Sequence, residues 1–113
     1  MRLSANEMSS LIDALQLFEG HEIIVSESIS RERTGRGYDR HSSTYSRFSF
    51  LADKFFGVSI SGELLGIESK NGVNLYCLSL RSVVEFHWDA EKLVITEHYE
   101  ENTARQTVIE CLS

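Results

Sequence analysis

Residues 62–80 read GELLGIESKNGVNLYCLSL, and the centre of this stretch decides the fold. Two apolar-rich runs flank Asn71-Gly72, a dipeptide that strongly favours a two-residue turn between paired strands. Both turn residues adopt positive φ in such a turn, which asparagine and glycine tolerate best. The stretch therefore predicts a β-hairpin.

A two-residue turn also fixes the register of the hairpin. The predicted opposite pairs are Lys70 with Val73, Glu68 with Leu75, Ile67 with Tyr76, Leu65 with Leu78 and Glu63 with Leu80. Because side chains alternate across a sheet, one face then carries five residues that we predict to form the core: Leu65, Ile67, Tyr76, Leu78 and Leu80. The other face is also partly apolar, which predicts a sheet covered in part on both sides.

An amphipathic helix is predicted at the start of the chain, over residues 4–19. Ser4 and Glu7 have the spacing of a capping box, and Leu3 precedes the helix as in a hydrophobic staple. Apolar residues recur at helical spacing, namely Met8, Leu11, Ile12, Leu15 and Phe18. Gly20 is well placed to end the helix. The opposite face lacks the basic residues of a membrane-surface helix, so we expect packing on the chain's own sheet, with docking on a partner protein as the alternative.

The rest of the chain reads as further strands in a mostly antiparallel meander. Glycines at positions 57, 62 and 66 indicate one long, curved strand, entered through a tight turn at Asp53-Lys54. In a second hairpin Trp88 is predicted opposite Leu93, Phe86 opposite Ile95, His87 opposite Val94 and His98 opposite Val83. The predicted strands are about 21–30, 43–52, 55–69, 73–80, 83–88 and 93–99, and residues 106–112 form either a last strand or a short helical turn.

These elements predict a mainly β (α+β) fold with an N-terminal helix packed on a strongly curved antiparallel meander or small barrel of five or six strands. A helix-covered open β-sheet is the alternative. Gly62, Leu64 and Gly66, followed by Glu68 and Asn74, lie in an order that resembles a motif of the Sm-like barrels, and the element order resembles SH3-like barrels as well. In the Sm pattern the asparagine contacts RNA. Here the interval from the acid to Asn74 is two residues longer and contains the predicted turn, so the resemblance implies the architecture and not RNA contact.

Length and composition narrow the class of protein. A chain of 113 residues predicts one domain, residues 1–113, and it is long enough to bury a core without a metal or disulfide. No apolar run approaches a membrane span, and no signal peptide is recognisable. Two cysteines make no disulfide framework, so we expect reduced thiols in a cytoplasmic protein. A net charge of −6 disfavours nonspecific binding of nucleic acid by the molecule as a whole.

The one basic region is an arginine-rich segment, predicted to be a long loop over 31–42 or the tip of a hairpin. The candidate partner- or anion-binding residues in and after it are Arg31, Arg33, Arg36, Tyr38, Arg40, Tyr45 and Arg47. Arginine pairs with phosphate and stacks on bases, and tyrosine offers a stacking face, so the segment could order on RNA or DNA. The alternatives are a solvated loop that pairs with acidic patches, and binding of a protein or another anionic partner.

The sequence carries no catalytic or metal-binding constellation, and we predict no cofactor. His87 and His98 would lie about 13 Å apart on one face of their hairpin, too far to share one ion. Glu85 with His87, and His21 with Glu22, are loose candidates for acid–base pairs. We therefore predict a non-enzymatic protein-interaction or assembly domain whose partner is a protein, with a second copy of the chain among the candidates. A nucleic-acid-binding module comes second, and an enzyme of unknown type comes third.

Overall fold

The computed structural model describes residues 3–35, 38–57, 64–69, 74–99 and 102–112, and it leaves the side chains of 32–43, 55–57 and 74–75 undescribed. These described residues form one helix, seven strands and a short 3-10 turn. Their bounds are α1 Ala5–Gln16, β1 Glu22–Gly35, β2 Tyr38–Gly57, β3 Leu64–Ser69, β4 Asn74–Ser79, the 3-10 turn Leu80–Ser82, β5 Val83–Asp89, β6 Lys92–Tyr99 and β7 Thr103–Cys111.

All seven strands belong to one antiparallel sheet with the order β4-β3-β2-β1-β7-β6-β5, curled into a half-barrel. This confirms the mainly β prediction, with seven strands in place of five or six. β7 supplies the extra strand, which settles the alternative left open for residues 106–112. The two outermost strands, β4 and β5, are consecutive in the chain and are joined by the 3-10 turn, so the curl of the sheet brings its ends towards each other.

The core lies on the concave face, where α1 packs. The five residues predicted for the core face of the β3–β4 hairpin are all buried: Leu65, Ile67, Tyr76, Leu78 and Leu80. From the helix, Leu11, Leu15 and Phe18 are buried against the same cluster. Removing this apolar surface from water stabilises the fold by roughly 1.5–3 kcal/mol per large side chain.

The cap predicted at the start of the helix is confirmed, but the helix is shorter than the predicted 4–19. It ends at Gln16, with Leu17 as C-cap, because the hydrogen bonds that follow are those of three-residue turns. Ser4 Oγ accepts from the Glu7 backbone N–H at 3.2 Å, and the Glu7 carboxylate accepts from the Ser4 N–H at 2.9 Å, which completes the capping box. These hydrogen bonds favour the charged form and lower the pKa of Glu7. Gly20 closes the turn that follows the helix, with φ +82°, a left-handed conformation that glycine adopts readily. Its N–H donates to Ala52 O at 2.8 Å, which ties the end of the helix to β2.

The register of the β3–β4 hairpin is largely as predicted. Leu65 lies opposite Leu78 and Ile67 opposite Tyr76. Glu68 lies opposite Asn74 and not Leu75, because a bulge after Ile67 adds one residue to one strand. The predicted turn at Asn71-Gly72 and the pairs of Lys70 with Val73 and Glu63 with Leu80 lie outside the described residues.

Three other predictions are wrong. The tight turn at Asp53-Lys54 is a bulge inside β2, which runs on to Gly57, so the single strand over 55–69 does not exist. His98 is not opposite Val83, because a bulge between Val83 and Glu85 shifts Val83 to Glu97. The long loop over 31–42 is instead strand, in line with the alternative of a hairpin: β1 continues to Gly35 and pairs with β2 from Tyr38 onward.

The strand character of the arginine-rich segment has a physical reason. β7 pairs with β1 only as far as Arg31, so beyond it β1 and β2 form a two-stranded ribbon. Backbone hydrogen bonds can hold such a ribbon outside the core, so its sequence needs no apolar period. The molecule is accordingly elongated, with extents of 50, 30 and 28 Å.

Candidate functional site

The two edge strands of the half-barrel, β4 and β5, differ in whether their outward-facing backbone groups are hydrogen-bonded. On β4, two backbone groups that face away from β3 are bonded by charged side chains: Arg105 Nη2 donates to Cys77 O at 2.7 Å, and Ser79 N–H donates to Glu97 Oε2 at 2.9 Å. Arg105 and Glu97 lie opposite each other on β7 and β6. They therefore stand in for the missing neighbour strand and close the curled sheet from the inside.

Strand alternation places this pair inside the barrel. Leu93 and Ile95 precede Glu97 on the core face of β6, and Thr107 and Ile109 follow Arg105 on the core face of β7. Glu97 is fully buried. The Arg105 side chain is 17% exposed, and its Nε lies 2.9 Å from Glu27 Oε2 and 3.6 Å from Glu97 Oε1.

Two tyrosines complete this polar cluster. Arg105 Nε donates to Tyr76 Oη at 3.1 Å, and the guanidinium carbon lies 4.5 Å from the centre of the Tyr76 ring. Tyr76 Oη also lies 2.7 Å from Thr107 Oγ1. Tyr99 Oη donates to Glu97 Oε2 at 2.5 Å. The hydroxyls thus link β4 to β7 and anchor the carboxylate that caps Ser79.

The charges in the cluster are fixed by their surroundings. Burial disfavours the guanidinium charge, but the attraction of Glu97, Tyr76 and Glu27 outweighs it and raises the pKa of Arg105. Burial, together with the bond to Glu97, raises the pKa of Tyr99 to about 12. Burial also raises the pKa of Tyr76. The raised pKa values keep the guanidinium charged and the two phenols neutral at neutral pH, which suits these groups to holding a strand in place.

The edge at β5 has no such cover. Among the described residues, β5 forms backbone hydrogen bonds only with β6. Its exposed side chains include Glu85, His87 and Asp89, and Trp88 is 45% exposed although its ring stacks on Phe18 at 5.9 Å. A sheet edge with unpaired N–H and C=O groups is a ready template for another strand.

Two depressions adjoin this edge. At the end of β5, a groove of about 780 Å³ is lined by Leu17, Phe18, Trp88, Ala90, Glu91, Lys92, Glu110 and Cys111. Leu17 in its wall is 67% exposed. At the start of β5, a crevice of about 310 Å³ lies between the helix and the strand, lined by Leu3, Asn6, Glu7, Ser10, Val84, Glu85 and Phe86. We call β5 with these two depressions the β5 surface.

The predicted arginine and tyrosine site has three members with described side chains, of which Tyr45 and Arg47 share one face of the sheet and Arg31 lies on the other. Arg31 lies in register with Thr103 and donates to its hydroxyl at 3.2 Å. Tyr45 and Arg47 lie opposite Ser28 and Ser26, on the other face of the sheet from Glu27. Arg47 is 3.9 Å from Glu110, and Tyr45 is 66% exposed.

Of the remaining members of that set, three are described by their backbone alone. The backbones of Arg33 and Arg40 lie opposite each other in the ribbon, and Tyr38 lies opposite Gly35, but their side chains are outside the description. Arg36 lies outside the described residues altogether. Whether the set binds an anion stays a prediction.

The structure also describes the residues considered for catalysis, metal binding and disulfide formation. Glu85 and His87 are exposed on β5, and no hydrogen bond joins them in the described structure. Within the described ranges, no group of three histidine, cysteine or acidic side chains could hold a metal ion. Cys77 is half-buried, Cys111 is exposed, and the two form no disulfide. The described helices include none long and apolar enough to cross a membrane.

Sequence reasoning missed Glu97 and Arg105. A signal was available, because each charge occupies a core-facing position of an otherwise apolar strand face. Glu97 follows Leu93 and Ile95 on one strand, and Arg105 precedes Thr107 and Ile109 on the other. Such a charge needs a partner in the fold. Comparison with known proteins finds no family model, curated relative or solved structure that matches this chain.

Proposed function

We propose that this chain is a protein-interaction module that binds an extended polypeptide segment along the outer edge of β5. One observation carries the proposal: the half-barrel seals the edge at β4 from within, while β5 stays unpaired among the described residues and borders an exposed apolar groove. In this mode of recognition, backbone hydrogen bonds supply affinity and pockets for alternate side chains supply specificity.

The groove at the end of β5 is suited to bind the side chains of such a segment. Trp88 and Leu17 offer apolar surface that is 45% and 67% exposed, and charged groups of Glu91, Lys92 and Glu110 rim it. An apolar centre with a polar rim is the usual anatomy of an interface, and tryptophan is the residue most enriched at its energetic centre. Phe18 stacks on the Trp88 ring and limits its freedom, which lowers the entropy cost of binding.

Selection from a random peptide display library tests the proposal. We expect selected peptides to alternate apolar and polar residues, as a strand against β5 requires. Trp88→Ala should weaken their binding about 30-fold, corresponding to about 2 kcal/mol. Leu17→Ser, which removes an exposed side chain and leaves the core intact, should weaken it by about fivefold. Tyr45→Ala is the matched control, because this exposed aromatic lies on the convex face.

Two results would contradict the proposal. One is the absence of any selected peptide whose binding depends on Leu17 or Trp88. The other is salt-sensitive binding of RNA or DNA that is lost with Arg33→Ala and Arg40→Ala while the β5 surface binds no peptide, which would favour the nucleic-acid alternative.

A further inference from the structure

The sequence of β5 is complementary to a second, antiparallel copy of the same strand. We propose that the strand added to β5 comes from a second copy of this chain, so that two half-barrels join edge to edge about a two-fold axis at Phe86. This inference rests on the proposed function, because it names the partner of the same edge. Closed two-fold pairing uses one surface twice and leaves no edge for further growth.

The charge pattern selects the register. When Val83–Asp89 of each protomer overlap completely and antiparallel, Glu85 of one lies opposite His87 of the other, and this pair occurs twice. The imidazole can donate a hydrogen bond to the carboxylate whether or not it is protonated. Opposite-charge pairs across strands are favourable, and like charges are not.

Neighbouring registers lack this complementarity. If the axis moves to Glu85, the two Glu85 carboxylates lie opposite each other. If it moves to His87, Glu85 lies opposite Asp89, another acid. Axes between residues would place the concave face of one sheet beside the convex face of its partner. Phe86 is therefore the centre that joins like faces and avoids facing acids.

The same register brings the exposed Trp88 side chain of one protomer to a crevice of its partner. It brings Trp88 of one protomer to the bulge at Val84 of the other, and Val84 lines the 310 Å³ crevice between α1 and β5. The described residues that line that crevice come from the start of the helix and from β5, so the crevice lies directly beside the edge strand. Trp88, 45% exposed in the single chain, would be covered by the partner's helix and strand.

The other edge does not compete for this pairing. Cys77 O and Ser79 N–H on β4 are already bonded to Arg105 and Glu97. A second copy that paired there would first have to displace a fully buried carboxylate and its cation, which is costly. The second copy is thus directed to β5.

Sedimentation of the full chain over a range of concentrations tests the inference through two single variants. Glu85→Lys puts a cation opposite His87, and His87→Glu puts two acids opposite each other, so each alone should weaken the dimer by about tenfold. Both positions are exposed, so folding should be unaffected. An equimolar mixture should dimerise at least as tightly as the wild type, because the introduced lysine of one chain then meets the introduced glutamate of the other. Tyr45→Ala should dimerise like the wild type.

Three results would overturn the inference: a wild type that stays monomeric, variants that dimerise as tightly as the wild type, or a mixture no tighter than its components. Failure of the proposed function is distinguishable. If the wild type is monomeric but binds library peptides in a Trp88-dependent way, the edge binds a foreign strand and the second copy is wrong. If neither occurs, the β5 surface is not an interaction site.

Discussion

Replacing Arg105 with methionine removes the cation that closes the half-barrel while keeping the length of the side chain. The change deletes the ion pairs to Glu27 and Glu97 and the hydrogen bonds to Cys77 O and Tyr76 Oη. It leaves Glu97 as a charge with no solvent contact and no counterion. Breaking one side of a buried ion pair typically costs 3–5 kcal/mol, so we expect a loss of about 4 kcal/mol in the free energy of unfolding.

A second substitution separates the buried charge from the lost contacts. Glu97→Gln in the Arg105→Met background removes the uncompensated charge, and its amide oxygen can still accept from Ser79 N–H and Tyr99 Oη. We expect the double variant to recover about 2 kcal/mol relative to Arg105→Met alone, since a buried neutral amide costs less than a buried unpaired carboxylate. A second substitution that restores stability by neutralising a buried charge would be hard to explain through packing alone.

Urea denaturation measures these differences, followed by far-ultraviolet circular dichroism and by the fluorescence of the single tryptophan, Trp88. Coincident transitions would justify two-state treatment. Arg47→Met is the matched control, because its ion pair to Glu110 is 3.9 Å long and its side chain is 57% exposed. Such pairs contribute roughly 0–1 kcal/mol. If Arg105→Met costs no more than Arg47→Met, Arg105 does not hold β4 in place.

The helix ends and Tyr99 give further expectations, each measured by urea denaturation. Ser4→Ala should cost about 1 kcal/mol by removing the cap bond, while Ser9→Ala, on the exposed helix face, should change stability little. Gly20→Ala should cost roughly 1–2 kcal/mol, from its positive φ alone, because an added Cβ meets no atom within 4 Å. The pKa of Tyr99 is raised from 10.0 to about 12, so its contribution is full below pH 10 and is lost as the pH rises through 12. After a discount for its 38% exposure this contribution is about 1 kcal/mol, and Tyr99→Phe should remove that part of the alkaline decline. An unchanged decline would count against the raised pKa that burial and the bond to Glu97 give Tyr99.

Sequence alone predicts the elements whose signals are local. The cap at Ser4 and the pairs of Leu65 with Leu78 and Ile67 with Tyr76 depend on signals that lie close together in the chain. The wrongly predicted turn at Asp53-Lys54 depends instead on a partner strand that local sequence does not reveal. A bulge and a turn both favour short polar residues, and only the partner strand shows whether the chain reverses.

The polar cluster around Arg105 and Glu97 could not be predicted from sequence, because its residues come from four strands. Glu27 is on β1, Arg105 on β7, Glu97 on β6, and the carbonyl of Cys77 on β4. Their meeting depends on the curl of the sheet and on β7 pairing with β1, which joins residues about eighty positions apart. No periodicity encodes that contact, although charges in a core-facing phase do indicate that a partner exists.

Residue-resolved hydrogen exchange at low and high protein concentration tests the central claim most directly, namely that one edge is sealed by the chain itself and the other is left for a partner. The Ser79 amide should be protected at both concentrations, because Glu97 accepts its hydrogen bond within one chain. The β5 amides that face away from β6 should exchange rapidly when dilute and become protected on association. A rapidly exchanging Ser79 amide, or β5 amides that remain unprotected at every concentration, would contradict the claim.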